Sequence, residues 1–164
     1  MMETFKRVLG AEHPSTLTSM ANLASTYRNQ GRWKEAEELE VQVMEMSLRV
    51  LGAEHPDTLT SMANLASTFW NQGRWKEAEE LEVQVMETSL RVLGAEHPDT
   101  LTSMNNLAFT LKGCGQDAEA IKLMEKCVQL QMLVLGASHP YTLSSSATLI
   151  RWQTKRLEID DLSN

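Results

Sequence analysis

The sequence predicts an all-α solenoid, an array of antiparallel helix pairs stacked one on the next. Three observations predict it. Seven of the eight glycines stand at 10, 31, 52, 73, 94, 115 and 136, a step of 21. All four prolines stand at 14, 56, 98 and 140, a step of 42, each preceded by a histidine. Between 11–52 and 53–94, 38 of 42 residues are identical, the exceptions being Ser15/Asp57, Tyr27/Phe69, Arg28/Trp70 and Met46/Thr88. Self-similarity at such a period marks a stacked array. One unit cannot bury its apolar face alone and relies on its neighbours to cover it.

The repeat divides the chain into a partial helix of a preceding repeat (1–10), three repeats (11–52, 53–94 and 95–136) and a partial fourth repeat with a C-terminal helix (137–164). Met2–Gly10 matches Met44–Gly52 except at three positions, so the array opens inside a repeat and reads as a piece of a longer one. The third copy keeps the frame from Gly94 to Met104 but has drifted. The fourth keeps Gly136 to Leu143 and then departs.

The two glycines of each unit separate two helices. The spacing predicts helices over 15–30, 33–51, 57–72, 75–93, 99–113, 117–135 and 141–157. In the first helix of a pair, Leu17, Met20, Ala24 and Tyr27 recur at helical spacing, with a polar stripe of Thr18, Asn22, Ser25 and Asn29 opposite. In the second, Ala36, Leu39, Val43 and Val50 form one apolar stripe and Val41, Met44, Leu48 and Leu51 another. A helix with two apolar stripes has to be covered from two sides. Glu38, Gln42, Glu45 and Arg49 form its wet face, with Glu45 and Arg49 at a favourable i,i+4 spacing. Gly52 follows Val50-Leu51 where a left-handed residue ends a helix. Pro56 fits the first turn of the next helix, with Asp57 and Thr58 beside it.

Composition removes several classes of function. The chain has 164 residues, net charge −7, 42% hydrophobic and 23% charged residues, an ordinary globular balance. Phosphate binding needs a basic stripe, so nucleic acid is not the expected partner. No apolar run approaches the roughly 18 residues that span a bilayer, and Glu3, Lys6 and Arg7 interrupt any leader-like start. Cys114 and Cys127, neither of them repeated, make no disulfide framework. A reducing, cytoplasmic setting is expected.

Four sets of residues are candidates for chemistry. His13, His55, His97 and His139 recur once per repeat, too far apart to converge on one metal ion, and read as structural loop residues. Cys127 replaces Val43 and Val85 on the inner stripe and reads as a buried thiol. Cys114 lies in a more exposed Gly-Cys-Gly turn. Glu35, Glu37 and Glu38 are repeated verbatim on a solvated face, whereas acid–base catalysis needs one asymmetric pocket. No Gly-rich phosphate loop is present. The expectation is a protein that is not an enzyme and takes neither cofactor nor metal.

The aromatic residues divide. Trp33 and Trp75 recur just after the glycine turn and are expected to pack between neighbouring helices. Trp70 has no copy, its equivalents being Arg28 and Lys112, and falls on the edge of the polar stripe as a candidate ligand anchor. Phe109 replaces Ser25 and Ser67 on that stripe and either lines a ligand pocket or fills space. Trp152 is expected to close the array.

The run Asn64-Leu65-Ala66-x-x-Phe69-x-x-x-Gly73-x-x-x-Glu77-Ala78, followed by Leu93-Gly94-x-x-His97-Pro98, resembles the tetratricopeptide repeat, in particular its long 42-residue kinesin light-chain type. The near-identical tandem copies also resemble the C-terminal arrays of fungal NACHT or NB-ARC signalling ATPases. One position departs from the pattern. A large apolar residue usually stands four positions after the Ala at 36, but here Glu40 and Glu82 stand there, returning to Met124 in the third copy. A helix rotated slightly outward is the expected consequence, and a carboxylate meeting a partner across the groove is the alternative.

The resemblance implies a right-handed superhelix whose first helices line a concave groove. Asn22, Asn64 and Asn106 match the Asn of the motif and are expected to project into it. There a row of amides suits the backbone of an extended peptide. Selectivity would come from what varies between copies: Arg28, Trp70, Phe109, Lys112 and Arg151. Lys155 adds to the positive charge of Lys112 and Arg151, which favours an acidic peptide with an apolar anchor. The expected function is a non-catalytic protein- or peptide-binding module, the sensor or scaffold array of a larger signalling protein. A kinesin light-chain-like cargo adaptor and an array that self-associates end to end are the alternatives.

Overall fold

The computed structural model describes residues 4, 7–8, 10 and 12–162, with side chains through residue 158. Seven helices make up the described chain: α1 (Pro14–Asn29), α2 (Trp33–Leu51), α3 (Pro56–Asn71), α4 (Trp75–Leu93), α5 (Pro98–Gly113), α6 (Asp117–Val134) and α7 (Pro140–Leu162). There is no strand among the described residues. Thr4, Arg7 and Val8 are helical, and the rest of the partial helix expected before Gly10 lies outside the described residues. Helix ends fall within a residue of the expected positions except in α7, which runs to Leu162.

The turn inside each pair is set by glycine. Gly31 has φ +74°, a conformation that costs a Cβ-bearing residue strain. Its N–H donates to Arg28 O at 3.0 Å, and the Arg32 N–H donates to Tyr27 O at 2.9 Å. These two bonds cap the last carbonyls of α1 in a Schellman motif. The Arg32 guanidinium then stacks over the Tyr27 ring at 4.1 Å. Between pairs, Gly52 sits at φ 90°, ψ 166°, a region essentially restricted to glycine.

The histidines do more than fill loops. Each is the N-cap of the first helix of a pair, with proline at the first helical position. Ser15 N donates to His13 Nδ1 at 3.2 Å, Asp57 N to His55 Nδ1 at 3.1 Å, Asp99 N to His97 Nδ1 at 3.1 Å and Tyr141 N to His139 Nδ1 at 3.2 Å. The ring nitrogen thus satisfies an N–H that the helix itself leaves open.

Two compact units divide the chain, Met1–Thr88 and Ser89–Asn164. In the first, α1 packs on α2 and α2 on α3. Ala24 and Ala36, both fully buried, let α1 and α2 approach closely, and Met20 is buried beside them. Burying a side chain of that size stabilises by about 1.5–3 kcal/mol. Leu59, Met62 and Val85 form a further cluster against Met44 and Leu81. In the second unit, α5 packs on α6 and α6 on α7, around Leu101, Met104, Ala108, Ala120, Met124 and Cys127. Cys127 Sγ donates to Leu101 O at 3.4 Å, and burial pushes its thiol pKa up to about 11.

Two expectations about depth are corrected. Trp33 and Trp75 are substantially exposed rather than packed between neighbours, because the small Ala36 and Ala78 one turn later take the buried position. Glu40 is not rotated outward. It is 3% exposed, and Arg28 on α1 reaches in to it.

Candidate binding grooves

Two cavities in the described chain are built on the same plan. The first lies between α1 and α3 and has a volume of about 420 Å³. Thr18, Ala21 and Asn22 of α1 form one wall, and Thr60, Ser61 and Asn64 of α3 the other. Val43 and Ser47 of α2 form the floor, with Glu12 and Asp57 at the rim. The second, of 300 Å³, lies between α5 and α7. Leu101, Thr102, Asn105 and Phe109 face Ser144, Ser145 and Thr148, over a floor of Gln131 from α6 and Leu135 just beyond its end. Residue by residue the two sites correspond at a separation of two repeats. Leu101 stands for Leu17, Asn105 for Ala21, Gln131 for Ser47 and Tyr141 for Asp57. The repeat therefore builds a groove between first helices of consecutive pairs and lets drift decide its chemistry.

The sequence-derived candidates fall into three groups. Asn22 and Asn64 line the α1–α3 cavity together. Phe109 lines the α5–α7 cavity and also fills space, since its ring meets Trp152 edge-on at 5.2 Å. Trp70 and Arg151 are exposed on α3 and α7. Asn106 is half-buried but does not line the α5–α7 cavity, where Asn105 does instead.

Arg28 and Lys112 are engaged within the fold. Arg28 Nη1 donates to Glu40 Oε1 at 3.3 Å and to Asn64 O at 3.0 Å, bridging three helices. Lys112 Nζ pairs with Asp117 Oδ2 at 2.7 Å and lies 5.8 Å from the Trp152 ring centre. Neither lines a cavity, and no lysine or arginine does in either one. Burial pushes the Glu40 carboxyl above its ordinary range, against the pull of the Thr68 hydroxyl and the Arg28 guanidinium. Glu37 is the reverse case. Partial burial pushes it up, but Arg74, at 2.8 Å, and Gln72, at 2.9 Å, outweigh that and hold it below the usual carboxylate range.

Sequence reasoning missed Asn105, Gln131, Ser145 and Tyr141. The signal for three of them was available in the comparison of copies: Ala21 and Ala63 become Asn105, Ser47 and Ser89 become Gln131, and Ser15, Asp57 and Asp99 become Tyr141.

Comparison with known proteins places this plan. A tetratricopeptide repeat model matches residues 16–57, 58–99 and 100–141, most of the chain, each match starting five residues later in phase than a division at the glycines. The chain belongs to the tetratricopeptide repeat family. It is similar to a crystal structure of a Podosopora anserina protein described as a kinesin light chain with nearly identical TPR-like repeats. That match has 35% identity and a TM-score of 0.81, covering 98% of this chain and 78% of that one. A point-substituted form of the same protein matches at 35% identity and a TM-score of 0.83, covering 98% and 77%. BtubC from P. vanneervenii shares the fold at 16% identity, with a TM-score of 0.69, over 88% of this chain and 65% of that one. No curated protein sequence matches significantly. The tetratricopeptide fold is generally a non-catalytic scaffold for contacts between proteins, and no catalytic family is indicated. No helix among the described residues is long and apolar enough to cross a membrane.

Proposed function

We propose that the array is a non-catalytic module that grips an extended peptide between the first helices of consecutive pairs. The observation that carries this reading is the α1–α3 cavity, where Asn22 and Asn64 stand on opposite walls above Val43 and Ser47. An amide side chain offers both donors and an acceptor to a peptide backbone. The apolar anchor of the expected ligand is supported by Phe109 and Leu101 in the α5–α7 cavity. Its expected acidic character keeps only the support of Arg151 and Lys155, since Arg28 and Lys112 are engaged elsewhere. Cys114 and Cys127, which are not disulfide-bonded, support a reducing, cytoplasmic setting. An adaptor role of kinesin light-chain type is supported by the similarity to the Podosopora anserina repeats. A sensor role in a NACHT or NB-ARC protein is supported by the near-identity of the copies.

Selecting a displayed random peptide library against the immobilised chain, then titrating the enriched peptides against variants, tests the reading. Asn22→Ala and Asn64→Ala should each weaken binding by about 0.5–1.5 kcal/mol, the net worth of a hydrogen bond. Trp70→Ala should cost about 2 kcal/mol if Trp70 anchors a side chain. Glu80→Ala and Gln84→Ala, exposed on α4, should do little. Loss of binding in these controls with none in the groove set would move the site to the second helices.

A second reading, self-association, is favoured by α7. Leu143, Ala147, Ile150, Thr154 and Leu157 are all exposed and follow the alternating four-and-three spacing of a helix–helix seam. Sedimentation of the chain over a concentration series, with Ile150→Glu alongside, tests it. A wild-type monomer at every concentration rules it out.

A further inference from the structure

The α5–α7 cavity contains an acceptor that the fold leaves unanswered. Gln131 is 5% exposed, and its Oε1 is buried with no hydrogen-bond partner. Buried polar atoms in folded proteins are nearly always paired, because leaving water without a replacement donor is costly. Gln131 lines the floor of the cavity, so a turn of its side-chain amide brings the unanswered oxygen to a donor arriving there. Two other contacts of the lining are internal to the fold. Ser145 Oγ donates to Asn105 Oδ1 at 3.2 Å, tying α7 to α5. The Phe109 ring is held against Trp152 at 78°. Leu101 and Leu135 complete an apolar wall, and no aspartate, glutamate, lysine or arginine lines the cavity.

We infer that this cavity is a recognition pocket for one uncharged, apolar residue of a bound peptide. The side chain lies against Phe109 and Leu101, and the same residue's main-chain N–H donates to Gln131 Oε1. The inference rests on the peptide-binding reading and adds to it the residue class that is recognised. A volume of 300 Å³ suits one large side chain with its own backbone, at the lower end of ligand sites. The uncharged lining rejects Lys, Arg, Asp and Glu side chains, which would lose water without gaining a counter-charge. The corresponding α1–α3 cavity has the short Ser47 on its floor and Glu12 and Asp57 at its rim, so this recognition is particular to α5–α7.

The probes are blocked tripeptides, acetyl-Gly-X-Gly-amide, with X = Leu, Phe, Lys or Asp, and the Leu peptide methylated at the leucine nitrogen. They are titrated into the full isotope-labelled chain while the side-chain amide signals of Gln131, Asn105, Asn22 and Asn64 are followed by NMR. The Leu and Phe peptides should shift Gln131 and Asn105 saturably, and the Lys and Asp peptides should bind at least about tenfold more weakly. Methylation of the leucine nitrogen should cost about 5–10-fold, as expected for one lost hydrogen bond. Gln131→Ser, the residue found at 47 and 89, should bring the Leu peptide down to the level of its methylated form and leave the methylated form unchanged. Equal binding of the two Leu peptides, or a preference for Lys or Asp, overturns the inference. Shifts confined to Asn22 and Asn64 also overturn it while the peptide-binding reading stands. No shift at any of the four amides at millimolar peptide defeats both.

Discussion

Four residues beyond the alanine where the helices cross, the first pair buries Glu40 and the third pair buries Met124. Around Glu40 the layer is polar. Arg28 reaches inward, pairs with the carboxylate and continues to the Asn64 carbonyl. Around Met124 the layer is apolar. The residue standing for Arg28 is Lys112, which pairs with Asp117 at the start of α6 and lies along Trp152. Phe109 and Trp152 fill the space nearby. The glycine turns, the histidine–proline caps and the paired alanines are the same in both regions. Between these two pairs both members change, so no carboxylate is left buried in an apolar layer; the second pair changes one member only, keeping Glu82 buried with Trp70 in the place of Arg28.

The largest test of this comparison is aromatic. Trp152→Ala should cost about 3–5 kcal/mol, the usual range for truncating a large buried aromatic. Trp33→Ala, at an exposed site of the first region, should cost about 1 kcal/mol or less. Equal losses in urea denaturation would mean that Trp152 does not carry the third region. Next comes the ion pair. Arg28→Ala should cost about 2–3 kcal/mol because it strands a buried carboxylate, while Lys112→Ala, losing a partly solvated pair, should cost about 0–1 kcal/mol. If the two variants melted together, Arg28 would not be what keeps Glu40 in the core. The shared frame gives the third test. Ala36→Leu and Ala120→Leu should each overpack a helix crossing and cost about 1–3 kcal/mol. A melting temperature unchanged in either region would place the closest approach elsewhere.

The smallest effect depends on pH. In the folded chain the Glu40 carboxyl is held above its ordinary value of 4.5. Between 4.5 and that raised value the folded state keeps a proton that the unfolded state has shed, so this group's contribution to stability falls as the pH rises. Glu37 works in the opposite sense. Its depressed pKa stabilises the fold above 4.5 and loses that contribution as the pH drops through the folded value. Glu40→Gln removes only the first effect. The melting temperature of the variant minus that of the wild type should therefore rise as the pH rises from 4.5, then level off. A flat difference would show that Glu40 ionises as easily folded as unfolded.

The helices were legible because their determinants are local. Periodicity marks the buried stripes, and glycine and proline mark the ends, so α1 to α6 begin and end within a residue of their expected positions. The histidine caps were half legible. Their repetition assigned them to the loops, but a ring nitrogen accepting from the second helical N–H is a matter of three-dimensional approach. Depth was the least legible property. Glu40 reads as a polar intrusion in one helix, and the group that answers it is Arg28, 12 residues away in another. Trp33 and Trp75 read as packing residues and stand exposed, because the alanine that follows each had already taken the inward position. Among the cavity-lining residues the sequence had named Asn22, Asn64 and Phe109 and passed over Gln131, whose departure from Ser47 and Ser89 is visible along the chain but whose place beneath a cavity is not.

By itself, then, the sequence determined the repeat, the order and length of the helices and the close crossings at alanine, all of which follow from backbone preference and side-chain spacing within one pair. Only the tertiary structure decided which polar side chains are buried and what answers them. Arg28 pairs with Glu40 and Gln131 Oε1 is buried without a donor beside a cavity, because desolvation and hydrogen bonding are settled by groups that meet across helices, at distances no spacing along the chain encodes.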